Sequence, residues 1–469
     1  MLNRRTVASI TGLVVLAGTL SVAGAATATS ASVPSTSPQQ PSAAMRASAW
    51  TPARNYVVPP GSAFSFPNAG AANKFAIRNR VLFTIQSVWG GPRDRNRLPI
   101  NDGAIRIATW SFNDMAIAKA LVAAHNRGVS VQVVAAATRN KGDKAWRLLR
   151  KKLGGNYYKA GVTNSSEKVS FARQCRGACR GRGGTPHSKY FLFNDVGSRH
   201  VENVVMQSSM NLTKMGYQGQ WNQAYASWSQ TTYNNFLTIF RETRIGLPQT
   251  VPYRRYASGN VANAFFPRPG TSAGSDPVMH ILNQTRCTGS SAGTNGRTKI
   301  RIIQYAMYDT RGVWLAKKLR SLWSAGCDVA IIYAISTRPV LGILRNGSGR
   351  GAIPMRQSVI TNRKREIVKY NHSKWMAIAG NWGGSPAAYV TFAGAANWSN
   401  AAFSNDEQMQ QINAYSTARG HMLNFNKTWA QGSSHAPGFG IKGSEGRLLP
   451  PGNTIPWGKG VFKHLNPNG

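Results

Sequence analysis

The sequence predicts an α/β protein: two similar fused α/β halves, each a mixed sheet flanked by helices, packed about a pseudo-two-fold axis. Three observations predict it. A strand–helix–strand pattern occurs twice. A set of His, Lys and Asn residues recurs at the same place behind each copy. Finally, 42% hydrophobic and 10% aromatic content gives the 469-residue chain matter for a real core despite a formal net charge of +42.

The first copy opens with the alternating run Ile105-Arg106-Ile107-Ala108-Thr109-Trp110. A helical segment follows from Asp114 to Asn126, with Ile117, Leu121 and Ala124 on one face; Arg127-Gly128 stops it, and Val129 to Ala135 makes a second buried strand. The second copy has Ile300-Arg301-Ile302-Ile303-Gln304-Tyr305, a helix from Val313 to Ser324, a stop at Gly326, and Val329 to Tyr333. A strand, a crossover helix and a second strand imply a parallel pair. Shorter-period strands come next: 189–195, 203–209 and 223–228 in the first copy, 374–380, 387–394 and 407–414 in the second. Each copy ends in a helix, near 232–242 and 418–430. The halves span 76–245 and 275–435, with a linker at 246–274, a lead-in rich in Ala, Ser and Pro at 26–75, and a Gly/Pro-rich extension at 436–469.

Residues 1–25 read as a secretory signal peptide. Arg4 and Arg5 precede an apolar run from Val7 to Val22, closed by the small residues Ala23 to Ala26. A retained anchor is the alternative, but the run is short and rich in small residues. The expectation is a secreted, extracellular monomer. In that setting Cys175, Cys179, Cys287 and Cys327 form two disulfides, with three possible connectivities. Pairing within each half favours Cys175–Cys179 and Cys287–Cys327. A Cys-x3-Cys metal site is the rival for the first pair, and it lacks companion ligands at zinc spacing.

The excess of 57 Lys+Arg over 15 Asp+Glu excludes a neutral housekeeping enzyme, and the apolar content excludes a disordered polycation. It calls for an anionic partner. Arg173, Arg176, Arg180 and Arg182 precede one recurrent block; Arg363, Lys364, Arg365 and Lys369 precede the other. Both runs read as a positive rim, with Arg182 as a substrate contact. A third basic cluster, Arg139 to Lys159, includes Trp146, Tyr157 and Tyr158, which could stack bases but in helices are more often core.

The recurrent block carries the chemistry. The first copy has His187-Ser188-Lys189, then Ser208-Ser209-Met210-Asn211-Leu212-Thr213; the second has His372-Ser373-Lys374, then Gly394-Ala395-Ala396-Asn397-Trp398-Ser399. The His-to-Asn interval is 24 residues in one and 25 in the other. Two imidazoles, two ammoniums and two amides can thus converge where the halves meet, with Ser209, Thr213 and Ser399 beside them as substrate contacts. The remaining histidines, such as His125, His200 and His421, read as surface or satisfied core.

Two H-x-K motifs, each with a downstream Asn, resemble the phospholipase D superfamily over both halves of the chain. The resemblance implies a metal-independent phosphodiesterase with no cofactor. Lys189, Lys374, Asn211 and Asn397 would hold the non-bridging oxygens, His187 would attack phosphorus to give a phosphohistidine, and His372 would protonate the leaving oxygen. The opposite assignment of the histidines stays open, because Glu407, beside the second motif, would raise the basicity of His372. There are departures from the family pattern. Its Asp position holds Asn194 in one copy, with Asp195 next to it, and Ala379 in the other; the counterpart of Glu407 reads as the neutral Gln223.

The substrate readings are a phospholipid, favoured; DNA or RNA, which would make the protein a nuclease; and an anionic wall polymer. A non-catalytic polyanion-binding protein on a degenerate scaffold is the answer of a different class. A phospholipid enzyme also calls for an apolar membrane-touching loop, for which Val340–Leu344 and Phe439–Ile441 are the short candidates.

Overall fold

Alternating and β-branched runs become strands, and periodic runs become helices, in the same order twice. The structure is a computed structural model that describes residues 52–140, 142–163, 165–431, 434–435, 452 and 454–466. The signal-peptide reading, most of the lead-in and Phe439–Ile441 lie outside the described residues.

The first sheet contains β1 (Gly61–Ser65), β2 (Ala104–Ala108), β3 (Ser130–Ala136), β4 (Phe171–Cys175), β5 (Tyr190–Asn194), β6 (Val204–Ser208) and β7 (Gln220–Ser227). Its spatial order is β4-β3-β2-β5-β6-β7-β1; β2, β3 and β4 run parallel and the other pairs antiparallel. The second sheet contains β8 (Arg254–Ser258), β9 (Val261–Phe265), β10 (Lys299–Met307), β11 (Asp328–Ser336), β12 (Met355–Thr361), β14 (Lys374–Trp382), β15 (Ser385–Gly394) and β16 (Gln408–Asn413). Its order, β12-β11-β10-β14-β15-β16-β9-β8, repeats the first, with the same three parallel strands. Strand β13 (Ile367–Asn371) joins the sheets: it pairs antiparallel with β12 and parallel with β7.

The stretch expected as a linker, 246–274, is not one. It supplies the hairpin β8–β9; β9 pairs with β16 as β1 pairs with β7 in the first sheet, and β8 adds one more strand at the edge. Strands β1 and β9 are short and far in sequence from β7 and β16, so periodicity alone does not assign them.

Helix α1 (Ala76–Ser87) covers the first sheet together with α2 (Met115–Asn126), whose N-cap Asp114 accepts from the amides of Ala116 and Ile117 and pairs with Arg78 at 2.8 Å. Ile117, Leu121 and Ala124 are buried as the spacing predicts. The chain turns at Gly128, at φ +90°, where a β-carbon would meet the Gly91 carbonyl oxygen at 1.9 Å. In α3 (Lys144–Leu153) Trp146 and Leu149 face the core while the basic residues face out, so Trp146 is core rather than a stacking platform. Helix α4 (Gln230–Ile245) ends the first copy. In the second, α5 (Pro277–Asn283), α6 (Asp309–Ser324) and α7 (Arg338–Arg345) cover one face, and α8 (Tyr415–Ala430) ends the copy. Val340, Leu341 and Leu344 point into the core from α7, which rules them out as a membrane-touching loop.

Both disulfides join the expected partners, Cys175 with Cys179 and Cys287 with Cys327. His421 is fully buried between the rings of Trp375 and Phe64, and burial pulls its pKa down to about 4. His187 is lowered to about 4 as well, again chiefly by burial. The unfolded chain takes up these protons near pH 6.5 and the folded chain only near 4, so stability is lost as pH falls through that window. Melting scans are expected to show Tm falling by several degrees across it, with a shallower fall in His421→Gln. A Tm independent of pH there would contradict the assignment.

Candidate active site

The two H-x-K segments lie at the N-terminal ends of equivalent strands, β5 and β14, where the sheets meet. Each histidine is pinned by the other copy's backbone. The His187 amide donates to the Asp406 carbonyl, and the His372 amide to the Trp221 carbonyl, both at 2.9 Å. The side chains following those carbonyls complete the exchange. His187 Nδ1 lies 2.7 Å from both oxygens of Glu407; His372 Nδ1 lies 3.1 Å from Asn222 Oδ1.

Two glutamines lock this register. Gln408 Oε1 accepts from the Lys189 amide at 3.1 Å, and its Nε2 donates to the carbonyls of Lys189 and Ser208. Gln223 does the same for Lys374, at 3.2 Å, and for Gly394. Gln223 and Gln408 are therefore the equivalent pair, and the counterpart of Glu407 is Asn222. Two expectations are corrected here. Glu407 serves the histidine of the first motif, not His372, and Gln223 is a backbone clamp. The signal was present in the sequence, since Asn222-Gln223 and Glu407-Gln408 align once the repeated glutamine is used as the anchor.

His187, Lys189, His372 and Lys374 are each at most 3% exposed. Each lysine ammonium donates to the carbonyl of its own motif's histidine, Lys189 at 2.5 Å and Lys374 at 2.8 Å. Burial brings Lys189 down to about 7, against the pull of Glu407; burial and then the Lys189 charge hold Lys374 well below its ordinary value. In His187, burial and the two ammoniums outweigh Glu407, so the ring is neutral at neutral pH. Burial works to raise Glu407, yet His187, Lys189 and the Asn405 amide keep it below the usual carboxylate value. The pair is thus a neutral imidazole donating Nδ1–H to a carboxylate, a tautomer whose Nε2 carries the lone pair. Asn222 is oriented by its own Nδ2–H···O bond to Gly216, at 2.8 Å, so its oxygen faces His372.

Aromatic rings flank both motifs. The Trp110 ring stands edge-on to His187 at 6.0 Å, and Tyr305 lies 4.9 Å from His372 with the Lys374 ammonium over its face at 4.8 Å. They occupy the same place in the two repeated runs, Ile105–Trp110 and Ile300–Tyr305, a repeat whose role the sequence did not assign. Asn211 and Asn397 are buried in the equivalent turns behind β6 and β15.

The remaining expected contacts are placed differently. Ser209 donates to Asn222 Oδ1 at 2.8 Å, one layer behind His372. Thr213 caps the short helix that follows, accepting from the Gly216 amide at 3.0 Å, and Ser399 bonds the Tyr308 hydroxyl. Of the expected basic rim, Arg182 and Arg176 are exposed, but Arg180 is buried, with Nε 2.8 Å from Glu242 and Nη1 2.8 Å from the Phe266 carbonyl. That guanidinium is structural. Arg363, Lys364 and Arg365 form the exposed turn between β12 and β13.

The departures from the motif lie away from this cluster. Five strand residues carry the chain about 17 Å. Asn194 there accepts from the Asn203 amide, Asp195 pairs with His200, and Ala379 is buried opposite Lys299. A neutral residue at those positions removes no charge from the histidines.

Residues 102–244 match a family model described as "Cardiolipin synthase, PLD-like domain". No curated protein matches the chain. A phosphatidylserine synthase from Haemophilus influenzae is similar in fold at 11% identity, over 84% of this chain and 90% of that one, with a TM-score of 0.51. A polyphosphate kinase from Porphyromonas gingivalis aligns at 12% identity and a TM-score of 0.49 over 78% of this chain, which spans 50% of the kinase. Nuc, a phospholipase D family member from Salmonella typhimurium, aligns at 22% identity and a TM-score of 0.27 over 39% of this chain and 94% of its own.

Proposed function

We propose that this chain, a member of the phospholipase D superfamily, is a secreted phosphodiesterase that works through a covalent phosphohistidine on His187, with a phospholipid as the favoured substrate. The observation that carries the assignment of roles is the unequal pair of partners: a carboxylate on His187 and a carboxamide on His372.

When Nε2 of His187 bonds to phosphorus, its ring becomes a cation with a proton on Nδ1. Glu407 is placed where that charge develops. As the P–O bond breaks, His372 gives its Nε2 proton to the leaving alcohol. Water then loses a proton to His372 while its oxygen attacks phosphorus, the P–N bond breaks, and a phosphomonoester leaves. Lys189 and Lys374 compensate the phosphate charge that would otherwise repel the nucleophile. Because ammoniums supply that compensation, the reaction is expected to run without a divalent metal.

The match of residues 102–244 to a cardiolipin-synthase-type domain family supports a lipid diester. The net charge of +42 supports a second reading, nucleic acid. Purified protein in excess EDTA, offered phosphatidylcholine vesicles and double-stranded DNA together, separates them. We expect free headgroup and intact DNA. Degraded DNA with intact lipid would make the protein a nuclease, a strict metal requirement would overturn the ammonium-based site, and no product from either would favour a wall polymer or binding alone.

A further inference from the structure

With its apolar side chains in the core, α7 offers no membrane-touching surface, whereas the stretch from the end of α4 to β8 has the character of one. Ile245, Leu247 and Val251 are 38%, 61% and 62% exposed within seven residues. Single exposed apolar side chains are ordinary on protein surfaces. Here three lie together on a segment that is tied down rather than loose. Gly246 caps α4 at φ +72°, the Gln249 amide donates to the Arg180 carbonyl at 2.9 Å, and Arg180 Nη2 donates to the Pro252 carbonyl at 2.5 Å.

The surroundings are cationic. Arg176, Arg182 and Arg255 are exposed, while the nearby acids are already paired, Glu242 with Arg180 and Arg254, Glu167 with Arg241 and Arg244. Exposed apolar side chains on a segment bonded to the loop that carries Arg176 and Arg182, and followed in the chain by Arg255, complement an anionic bilayer surface, in which each arginine near the headgroups adds to a weak apolar insertion.

The loop is also wired to the site. The disulfide loop under it donates the amides of Cys179 and Arg180 to the Asp406 carboxylate, at 2.5 and 3.2 Å. The Asp406 carbonyl holds the His187 backbone, and the next residue, Glu407, holds the His187 ring.

We propose that residues 245–251 form an insertion patch for anionic lipid surfaces that seats the His187 site at the membrane. The proposal rests on the phospholipid reading above. Its test uses the full chain in flotation assays with phosphatidylcholine vesicles, with and without phosphatidylglycerol. Wild type is expected to float with the anionic vesicles, and Leu247→Glu/Val251→Glu to bind them at least about tenfold more weakly. Hydrolysis of soluble bis(4-nitrophenyl) phosphate by that variant should be unchanged. All four cysteines are disulfide-bonded, so a Leu247→Cys variant can carry a single environment-sensitive fluorophore. Its emission should shift to the blue only with anionic vesicles.

Equal binding by the double variant, or binding without a blue shift, would overturn the patch and leave general basic attraction as the cause. Failure of wild type to bind, with the soluble diester still cleaved, would sink the patch but not the two-histidine chemistry. Tight lipid binding with no cleavage of any diester would uphold the patch and sink the chemistry.

Discussion

His187→Ala is expected to lower turnover by at least about 10³-fold on every diester, and no phosphoenzyme should be trapped by acid quench. His372→Ala should differ in kind. With an alkyl leaving group it loses a comparable factor, because an alkoxide cannot depart without a proton. With 4-nitrophenol as leaving group it should still form the phosphoenzyme, which then accumulates because no base activates the water. Anion binding should survive in both variants, since Lys189 and Lys374 are retained. The asymmetry is a consequence of geometry: His187 Nδ1 is held by Glu407 at 2.7 Å, whereas His372 faces a neutral oxygen at 3.1 Å. A phosphoenzyme trapped on His372 in wild type, or near-normal activity in either variant, would refute the assigned roles.

The second large effect concerns the exchanged partners. Glu407→Gln removes the carboxylate that holds the His187 ring, would face the proposed cationic phosphohistidine, and offsets both buried ammoniums. The expected loss in kcat is about 10²- to 10⁴-fold, with the His187 pKa moving further down. Asn222→Asp places a carboxylate beside His372, which favours its protonated form. The alkaline limb of the kcat profile, set by loss of that proton, should therefore move up by about one pH unit. It should also cost about 1–2 kcal/mol of stability, because Asn222 Nδ2 now donates to the Gly216 carbonyl and a carboxylate cannot. An unmoved alkaline limb in Asn222→Asp would remove His372 from the role of acid. Joint measurement of pH profile and melting separates the electrostatic effect from simple loosening.

Much of this protein is legible along the chain because its determinants are local or repeated. The β2–α2–β3 and β10–α6–β11 units follow from apolar periodicity with a glycine stop at Gly128 and Gly326, and a parallel pair needs only that pattern to form. The two H-x-K motifs and their asparagines are visible because a duplicated block reports itself. Even the disulfide pairing follows from keeping each bond inside its own half.

What the sequence could not decide are contacts between residues about 150 to 220 positions apart, set by how one sheet meets the other. Glu407 stands 220 residues from His187 yet holds its ring, and Asn222 stands 150 from His372. Proximity in sequence assigns Glu407 to the wrong histidine. Only the packing of β7 beside β13, and of Asp406 beside Pro186, brings each partner across. The same holds for charge. Composition sets the sign of the surface, but whether an arginine meets solvent or pairs with a half-buried glutamate depends on the cost of leaving it unpaired in a dry interior. That cost puts Arg180 under the disulfide loop while Arg176 and Arg182 stay outside. Residue types along the chain determined the chemistry available to this protein; tertiary packing determined which histidine receives the carboxylate.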